Sequence, residues 1–225
     1  MTACRTITIR HPSKAYLDLF NDEVIELQQS LILIKGMAAD NAQRYWQSVQ
    51  DIHHQSPFRK MQTPGGQMMS AEITNCGRVG WHSDRQGYRY TELDPLTGQS
   101  WPAMPICLQT LAVSAALKAG YQAFTPDVCL INRYSIDSKM GLHQDRDERD
   151  FTQPIVSVSL GLSANFVFAG SQRNGPRQHI LLEHGDVLVW GGQLRKNYHG
   201  ISKVLPGDDP LTGQHRINLT FRQAL

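Results

Sequence analysis

Residues 128–145 read VCLINRYSIDSKMGLHQD, a β-rich run followed by a short polar connection and the triplet His143-Gln144-Asp145. Side chains alternate along a strand, so residues i and i+2 share a face and His143 and Asp145 can bind one metal ion together. Because no helical pattern of useful length interrupts the chain after residue 128, a βαβ sheet is disfavoured and a sandwich or jelly roll is predicted. The predicted strands are Val128–Tyr134, Pro154–Leu162, Ala164–Phe168, His179–Glu183, Val187–Trp190 and Arg216–Arg222.

Two helices are predicted before these strands. The first follows Asp40, an N-cap candidate with Gln43 three residues later, and has apolar residues at helical spacing as far as Ile52. The second runs from about Pro105 to Lys118. The predicted fold class is therefore mainly β with flanking helices (α+β).

Composition sets the broad class of the protein. Hydrophobic residues make up 40% and charged residues 19% of the 225, which excludes a disordered chain, collagen and a coiled coil. The net charge of +2 is far from that of a purely electrostatic nucleic-acid binder, so any nucleic-acid contact must be local. Widely separated cysteines and the lack of a long apolar run predict a cytoplasmic protein with no membrane contact.

The predicted domain organisation is simple. Residues 1–15 mix polar and basic residues without a period and are predicted to be a mobile tail, and residues 16–225 are predicted to form one domain. Within it, residues 56–90 carry five Lys and Arg against two acidic residues, interleaved with aromatic side chains. We expect this lid segment (residues 56–90) to cover a binding site. No heptad or long unpaired strand indicates an obligate assembly, so a monomer is expected.

The chain contains three His-x-Asp pairs, and their contexts differ. His184-Gly185-Asp186 is predicted to be a hairpin turn between two apolar strands, and His82-Ser83-Asp84 a solvated loop. The pair at His143 follows a predicted strand, and a distal histidine, His199, comes 54 residues after Asp145 at the end of another strand pair. Two imidazoles and one carboxylate form the facial triad of non-haem Fe(II) oxygenases, which leaves coordination positions open for a bidentate co-substrate and O₂. A hydrolytic zinc site is the alternative.

The last predicted strand, HRINLTFRQ, adds a second feature. Its alternation puts Arg216 and Arg222 on one polar face with Asn218 and Thr220, opposite three apolar residues. Two guanidinium groups on one face suit a small dicarboxylate, because each guanidinium binds a carboxylate through two hydrogen bonds. A surface strand with solvated charges would show the same alternation. Six residues along an ideal strand span roughly 20 Å, so both arginines reach one ligand only if the strand twists or they lean inward.

Together these motifs resemble the AlkB family of Fe(II)- and 2-oxoglutarate-dependent nucleic-acid dealkylases. The resemblance runs from about Leu17 to Ala224 and includes the segments NRY (132–134), LHQD (142–145), TPGG (63–66) and WPAMP (101–105). It implies a double-stranded β-helix, or jelly-roll, core with N-terminal helices, and a nucleotide-recognition lid at residues 56–90.

The resemblance also implies the site residues and the reaction. Oxidative decarboxylation of 2-oxoglutarate to succinate and CO₂, with O₂ consumed, is coupled to hydroxylation of an N-methyl group on a lesion such as 1-methyladenine or 3-methylcytosine, and formaldehyde then leaves. Fe(II) is expected at His143, Asp145 and His199. The implied 2-oxoglutarate contacts are Arg216 and Arg222, with hydrogen bonds from Asn132, Tyr134 and Asn218.

On the substrate side, the resemblance implies that Trp81 stacks on a base extruded from DNA or RNA. Because the methylated base is cationic, the carboxylates of Asp147 and Glu148 beside the metal are candidate contacts. Further candidates are Tyr88, Arg173, Lys139 and, although alternation in a strand favours packing, Met69. Two alternatives stay open: an oxygenase that acts on a protein or small molecule, and a non-catalytic binder of damaged nucleic acid with a structural metal.

Overall fold

The computed structural model describes residues 23–225, so the predicted mobile tail at residues 1–15 lies outside the described residues. Residues 23–225 contain two α-helices, α1 at Ala42–Gln55 and α2 at Ile106–Lys118, and a short 3-10 helix at Gly192–Leu194. The strands are β1 Val24–Gln28, β2 Leu31–Ile34, β3 Arg59–Gln62, β4 Met68–Gly77, β5 Gly80–Asp84, β6 Gly87–Thr91, β7 Val128–Ser135, β8 Met140–His143, β9 Ile155–Gly161, β10 Ala164–Ala169, β11 Arg177–Leu182, β12 Val187–Trp190, β13 His199–Val204 and β14 His215–Arg222.

The strands form two facing sheets and a separate hairpin. The major sheet has eight strands in the order β1-β2-β12-β9-β14-β7-β4-β3, the minor sheet has four in the order β11-β10-β13-β8, and β5 pairs only with β6. Neighbouring strands run antiparallel throughout. The predicted jelly roll is confirmed, since antiparallel strands divided between two sheets replace any βαβ unit.

Two apolar cores separate three layers. One core lies between the helices and the outer face of the major sheet, and it includes Val49, Leu111 and Leu219. The other lies between the two sheets, where Phe166 and Ile201 of the minor sheet meet residues of the major sheet. The helices therefore seal one face of the major sheet, and its inner face is left to the space between the sheets.

Strand β14 lies near the middle of the major sheet, between β9 and β7. Its apolar residues face the helix layer, as the alternation predicted. The polar residues of the other face are also buried, with no more than 7% exposure for any of Arg216, Asn218, Thr220 and Arg222. The solvated-strand interpretation is therefore wrong, and these polar groups face the interior of the protein.

The second predicted helix is confirmed, and Gly120 follows its end with a φ of +91°. The predicted capping box of the first helix is wrong, because the N-cap is Asn41 and no side chain caps the helix. Neither helix in residues 23–225 is long and apolar enough to cross a membrane.

Two of the His-x-Asp pairs are corrected by the fold. His184-Gly185-Asp186 is a turn, with Gly185 at a φ of +85°, but it joins β11 to β12, which belong to different sheets, so it is not a hairpin. His82 is not in a solvated loop. It lies in β5 with only 14% of its side chain exposed, and its Nε2 lies 3.3 Å from Asp84 Oδ2.

A close approach of two minor-sheet strands depends on Gly200. In the β8–β13 pair, a Cβ atom at Gly200 would lie 2.5 Å from the carbonyl oxygen of Met140, closer than real Cβ atoms come. Only glycine therefore lets β13 pass β8 at this point, immediately after His199.

We expect Gly200→Ala to lower the free energy of unfolding by about 1–3 kcal/mol, the usual cost of overpacking. The matched control is Gly170→Ala, because a Cβ atom at Gly170 would meet nothing within 4 Å. Urea denaturation of both variants measures the effect. Equal midpoints for the two variants would show that β8 can move aside at no cost.

Candidate active site between the two sheets

The space between the sheets opens to solvent as a cleft of roughly 970 Å³. Strands of both sheets and the β5–β6 hairpin contribute to its walls. Almost every site residue predicted from the sequence lines it: His143, Asp145, His199, Asn132, Tyr134, Arg216, Asn218, Arg222, Met69, Trp81, Tyr88, Asp147, Arg173 and Lys139. The exception is Glu148.

The predicted metal ligands come together because of strand register. His199 at the start of β13 pairs directly with His143 at the end of β8, and their ring centroids are 4.4 Å apart. Asp145 follows two residues later, with Oδ1 3.9 Å from His143 Nε2 and Oδ2 3.5 Å from His199 Nε2. One ligand atom of each residue lies within 4.8 Å of the others, close enough for one metal ion.

Hydrogen bonds and burial prepare both imidazoles to act as ligands. His143 Nδ1 lies 3.0 Å from the carbonyl oxygen of Gly141, and His199 Nδ1 lies 3.1 Å from that of Asn197. These contacts assign the proton to Nδ1, so that each Nε2 lone pair is free for a metal. Partial burial in the cleft wall, and then the neighbouring His199, lower the pKa of His143 to about 4, which keeps the ring neutral at physiological pH.

A buried ion pair holds the carboxylate ligand. Arg222 Nη2 lies 2.9 Å from Asp145 Oδ2, and both side chains are almost fully buried. Burial alone would raise the pKa of Asp145, but Arg222 and then His199 outweigh it and hold that pKa well below its usual range. Asp145 is therefore an anion in the site, as metal binding requires.

Arg216 is buried without a counter-ion. Its side chain is 1% exposed, and no carboxylate in residues 23–225 lies within ion-pair distance of it. Nη2 donates a hydrogen bond of 3.0 Å to Ser159 Oγ, whereas Nε and Nη1 are buried with no partner. Burial lowers the pKa of Arg216 to about 10, so the guanidinium remains charged at neutral pH.

A buried guanidinium with unpaired donors destabilises the folded protein unless a ligand accepts its hydrogen bonds. The unpaired Nε and Nη1 of Arg216 therefore indicate that an anion binds in the cleft. Asn132 adds a buried Oδ1 atom without a partner. Asn218 is held in place, since its Nδ2 donates to Ser157 Oγ at 2.8 Å. Two imidazoles, one carboxylate and a buried cation with free donors match the needs of Fe(II) and a 2-oxo dicarboxylate.

Sequence comparisons agree with this geometry. The model of the 2OG-Fe(II) oxygenase superfamily matches residues 30–222. The AlkB α-ketoglutarate-dependent dioxygenase of Escherichia coli is 51% identical over 92% of this chain and 98% of its own length. The DNA N(6)-methyladenine demethylase ALKBH1C of Arabidopsis thaliana is 33% identical over 64% of this chain and 38% of its own length. The solved structure of OsALKBH1 superposes with a TM-score of 0.77 at 27% identity, covering 89% of this chain and all of that one.

A jelly roll with a His-x-Asp and distal His cluster beside buried arginines defines an Fe(II)- and 2-oxoglutarate-dependent dioxygenase. This chain belongs to the 2OG-Fe(II) oxygenase superfamily and, within it, to the AlkB family. Its cofactors are Fe(II), 2-oxoglutarate and O₂. The hydrolytic zinc site and the non-catalytic binder are therefore excluded.

Aromatic residues of the β5–β6 hairpin line one side of the cleft. The Trp81 and Tyr88 rings of the hairpin stack with centroids 5.5 Å apart and an interplanar angle of 16°. Trp81 Nε1 donates a hydrogen bond of 2.9 Å to Asp147 Oδ2. Met69 is half-buried and packs with Trp81 against a small apolar cluster, which agrees with the packing expected from its alternation. Arg173 lies exposed at the rim.

Glu148 lies elsewhere than expected for a substrate contact. It is only 5% exposed and is not part of the cleft wall. Its carboxylate accepts a hydrogen bond from Tyr90 at 2.8 Å and pairs with Arg195 Nη2 at 3.3 Å and Arg222 Nε at 3.5 Å. Two buried cations therefore draw this carboxylate inward, and the geometry does not support direct contact with the substrate.

Several residues of the site gave no signal that sequence patterns could detect. Phe166 and Trp190 pack around the His199 ring, with centroids 5.9 and 5.0 Å away, but they looked like ordinary apolar strand residues. Arg195 stands alone in a connection and is buried by its contacts with Glu148 and the backbone. Tyr90 was one of several aromatic residues in the lid segment.

We expect His143→Ala to weaken Fe(II) binding by more than about 100-fold, since even partners that only orient a ligand are worth 10- to 100-fold. His143 is half-exposed, so the fold should survive the change. Anaerobic Fe(II) titration measures the affinity, and His179→Ala, on an exposed part of β11, is the matched control. Undiminished binding in His143→Ala would remove this residue from the metal site.

Proposed function

We propose that the enzyme removes alkyl groups from ring nitrogens of damaged bases in DNA and RNA, with 1-methyladenine and 3-methylcytosine as substrates. The observation that carries this proposal is the aromatic pair of Trp81 and Tyr88 beside Asp147, at the cleft that also contains the metal cluster. Flat, cationic, methylated bases need an aromatic face and a nearby carboxylate. The identity to E. coli AlkB and to a relative named as a DNA demethylase supports the same substrate class.

In this proposal His143, Asp145 and His199 hold Fe(II). When bound, Fe(II) supplies open positions for 2-oxoglutarate and O₂ and the oxidising power of the reaction. One oxygen atom of O₂ enters succinate as CO₂ leaves, and the other converts the N-methyl group to N-hydroxymethyl. Loss of formaldehyde then restores the base.

Each of the two arginines is proposed to bind one carboxylate of 2-oxoglutarate. Arg222, paired with Asp145, lies beside the metal cluster and is assigned the carboxylate next to the keto group. Arg216, with two free donors at the other end of β14, is assigned the distal carboxylate. Both side chains line the same cleft, as the usual twist of a β-sheet allows. The hydrogen-bonding groups assigned to the same ligand are Asn132, Tyr134 and Asn218.

The damaged base is proposed to bind on the side of the cleft formed by the β5–β6 hairpin. Trp81 stacks on the extruded base in place of Tyr88, and Asp147 accepts from it or balances its positive charge. A damaged, poorly paired base costs less to extrude from the helix, which favours lesions over normal bases. Arg173 and Lys139, both on the cleft wall, are suited to phosphate contacts.

The domain organisation proposed is one dioxygenase domain over residues 16–225 with a lid at residues 56–90. Strand β4 within that segment pairs with β7 in the major sheet, whereas β5 pairs only with β6, so the hairpin is the part of the proposed lid that lies outside both large sheets. The enzyme is proposed to act as a cytoplasmic monomer. Unbridged Cys76, Cys107 and Cys129 agree with a reducing compartment.

We expect an oligonucleotide with one 1-methyladenine to lose the mass of one CH₂ group when incubated with the enzyme, Fe(II), 2-oxoglutarate, ascorbate and air. Mass spectrometry detects the change, and a mixture without 2-oxoglutarate is the control. No mass change with protein shown to bind Fe(II) and 2-oxoglutarate would indicate a protein or small-molecule substrate instead.

We expect Arg216→Met to affect stability and co-substrate binding in opposite directions. Removing a buried, unpaired cation should raise the free energy of unfolding by at least about 1 kcal/mol. Loss of the carboxylate contact should weaken 2-oxoglutarate binding by roughly 30-fold or more. Urea denaturation and 2-oxoglutarate titration measure the two effects. A variant that is less stable and binds 2-oxoglutarate normally would contradict the assignment of Arg216.

A further inference from the structure

Tyr90 makes two hydrogen bonds that the proposed chemistry does not use. Its hydroxyl donates to Glu148 Oε1 at 2.8 Å and accepts from Arg222 Nη1 at 3.1 Å. Burial, more than any nearby charge, raises the pKa of Tyr90 far above its usual range, so the hydroxyl keeps its proton. The hydroxyl therefore bridges a carboxylate and a guanidinium, in the one donor and one acceptor role that a phenol provides.

These contacts fix the orientation of Arg222. Its Nη2 pairs with Asp145 at 2.9 Å, its Nη1 donates to Tyr90, and its Nε faces Glu148 at 3.5 Å. Nε is buried without a hydrogen-bond partner, so among residues 23–225 the Tyr90 hydroxyl is the group that accepts a hydrogen bond from this guanidinium, and the two carboxylates contribute ion-pair contacts. Without the hydroxyl, only the two carboxylates would define the plane of the group.

Tyr90 also belongs to the β5–β6 hairpin. It lies directly opposite Trp81 in the hairpin register. Trp81 bonds to Asp147, and Tyr90 bonds to Glu148. This cross-strand pair therefore contacts two consecutive residues of the connection that follows Asp145. The base-facing tryptophan and the arginine beside the metal cluster are therefore linked through two opposed residues.

We propose that Tyr90 is a positioning residue for Arg222, and that it couples 2-oxoglutarate binding to binding of the nucleic-acid substrate through the hairpin. This inference rests on the proposed function, in which Arg222 binds 2-oxoglutarate and Trp81 the base. When the co-substrate binds Arg222, the side chain of Arg222 becomes less mobile, and so does Tyr90, which is bonded to it. Because Tyr90 lies opposite Trp81 in the hairpin, the position of Trp81 is restricted as well. Thermodynamic linkage requires the reverse effect to be equally large.

The test compares wild type with Tyr90→Phe, which removes only the hydroxyl group. 2-Oxoglutarate is titrated without O₂ into the Fe(II)-loaded protein, and the charge-transfer absorbance of the complex reports binding. We expect roughly tenfold weaker binding, since groups that orient a ligand-binding residue are commonly worth 10- to 100-fold. The matched control is Tyr121→Phe, which removes a hydroxyl bonded to Ser30, and it should bind as wild type does.

The coupling is measured with a 1-methyladenine oligonucleotide by fluorescence polarisation, without O₂, in the presence and absence of 2-oxoglutarate. We expect 2-oxoglutarate to tighten oligonucleotide binding several-fold in wild type, and this ratio to fall towards one in Tyr90→Phe. A ratio that is unchanged by the substitution, or equal to one in wild type, would overturn the coupling. Unchanged 2-oxoglutarate affinity in Tyr90→Phe would overturn the positioning role.

Two further variants separate the possible failures. Arg222→Ala should itself lose 2-oxoglutarate binding, and if it does not, the proposed co-substrate site fails together with the inference. If Arg222→Ala loses binding and Tyr90→Phe does not, only the inference fails. Glu148→Gln keeps an acceptor for Tyr90 but removes the charge. If Tyr90→Phe proves unstable, weaker 2-oxoglutarate binding in folded Glu148→Gln supports the network, and wild-type binding there overturns it.

Discussion

The ion pair between Asp145 and Arg222 is the contact on which the rest of the site depends. Both groups are almost fully buried, and separating either from its partner would leave an uncompensated charge inside the protein. The pair joins the connection after β8 in the minor sheet to β14 near the middle of the major sheet, and so fixes the distance between the sheets at the cleft. Two imidazoles on one side and Tyr90 and Glu148 on the other are built around it.

Arg216, on the same strand, is buried without such an ion pair among residues 23–225. Where Arg222 has its carboxylates within the chain, Arg216 has none among residues 23–225 and keeps free donors inside the protein. Burying this cation without a partner lowers the stability of the folded protein, and an anionic ligand that pairs with Arg216 recovers that free energy on binding. In the proposed function, stability and co-substrate affinity therefore oppose one another at Arg216.

The layered fold explains how many polar groups can be buried without unfolding the protein. Helices seal the outer face of the major sheet with an apolar core, and a second apolar core fills most of the gap between the sheets. The cleft that opens from this gap is lined by many of the buried polar groups, including Asn132, Arg216 and Arg222. The β5–β6 hairpin contacts residues of this cleft through Trp81, which bonds to Asp147, and through Tyr90, which bonds to Arg222.

Alternation in RINLTFR, the helical spacing before Lys118 and the pair of His143 with Asp145 were readable from the sequence, because each reflects a local period of two or of 3.6 residues. The distal His199 and the two arginines were also candidates from the sequence pattern, and the family resemblance added Asn132, Tyr134 and Asn218 as co-substrate contacts. Tertiary structure alone decided that His199 pairs with His143, that the turn at Gly185 changes sheets and that Glu148 turns inward. These features depend on register between short distant strands and on buried ion pairs, whose energies come from partners far away in the chain.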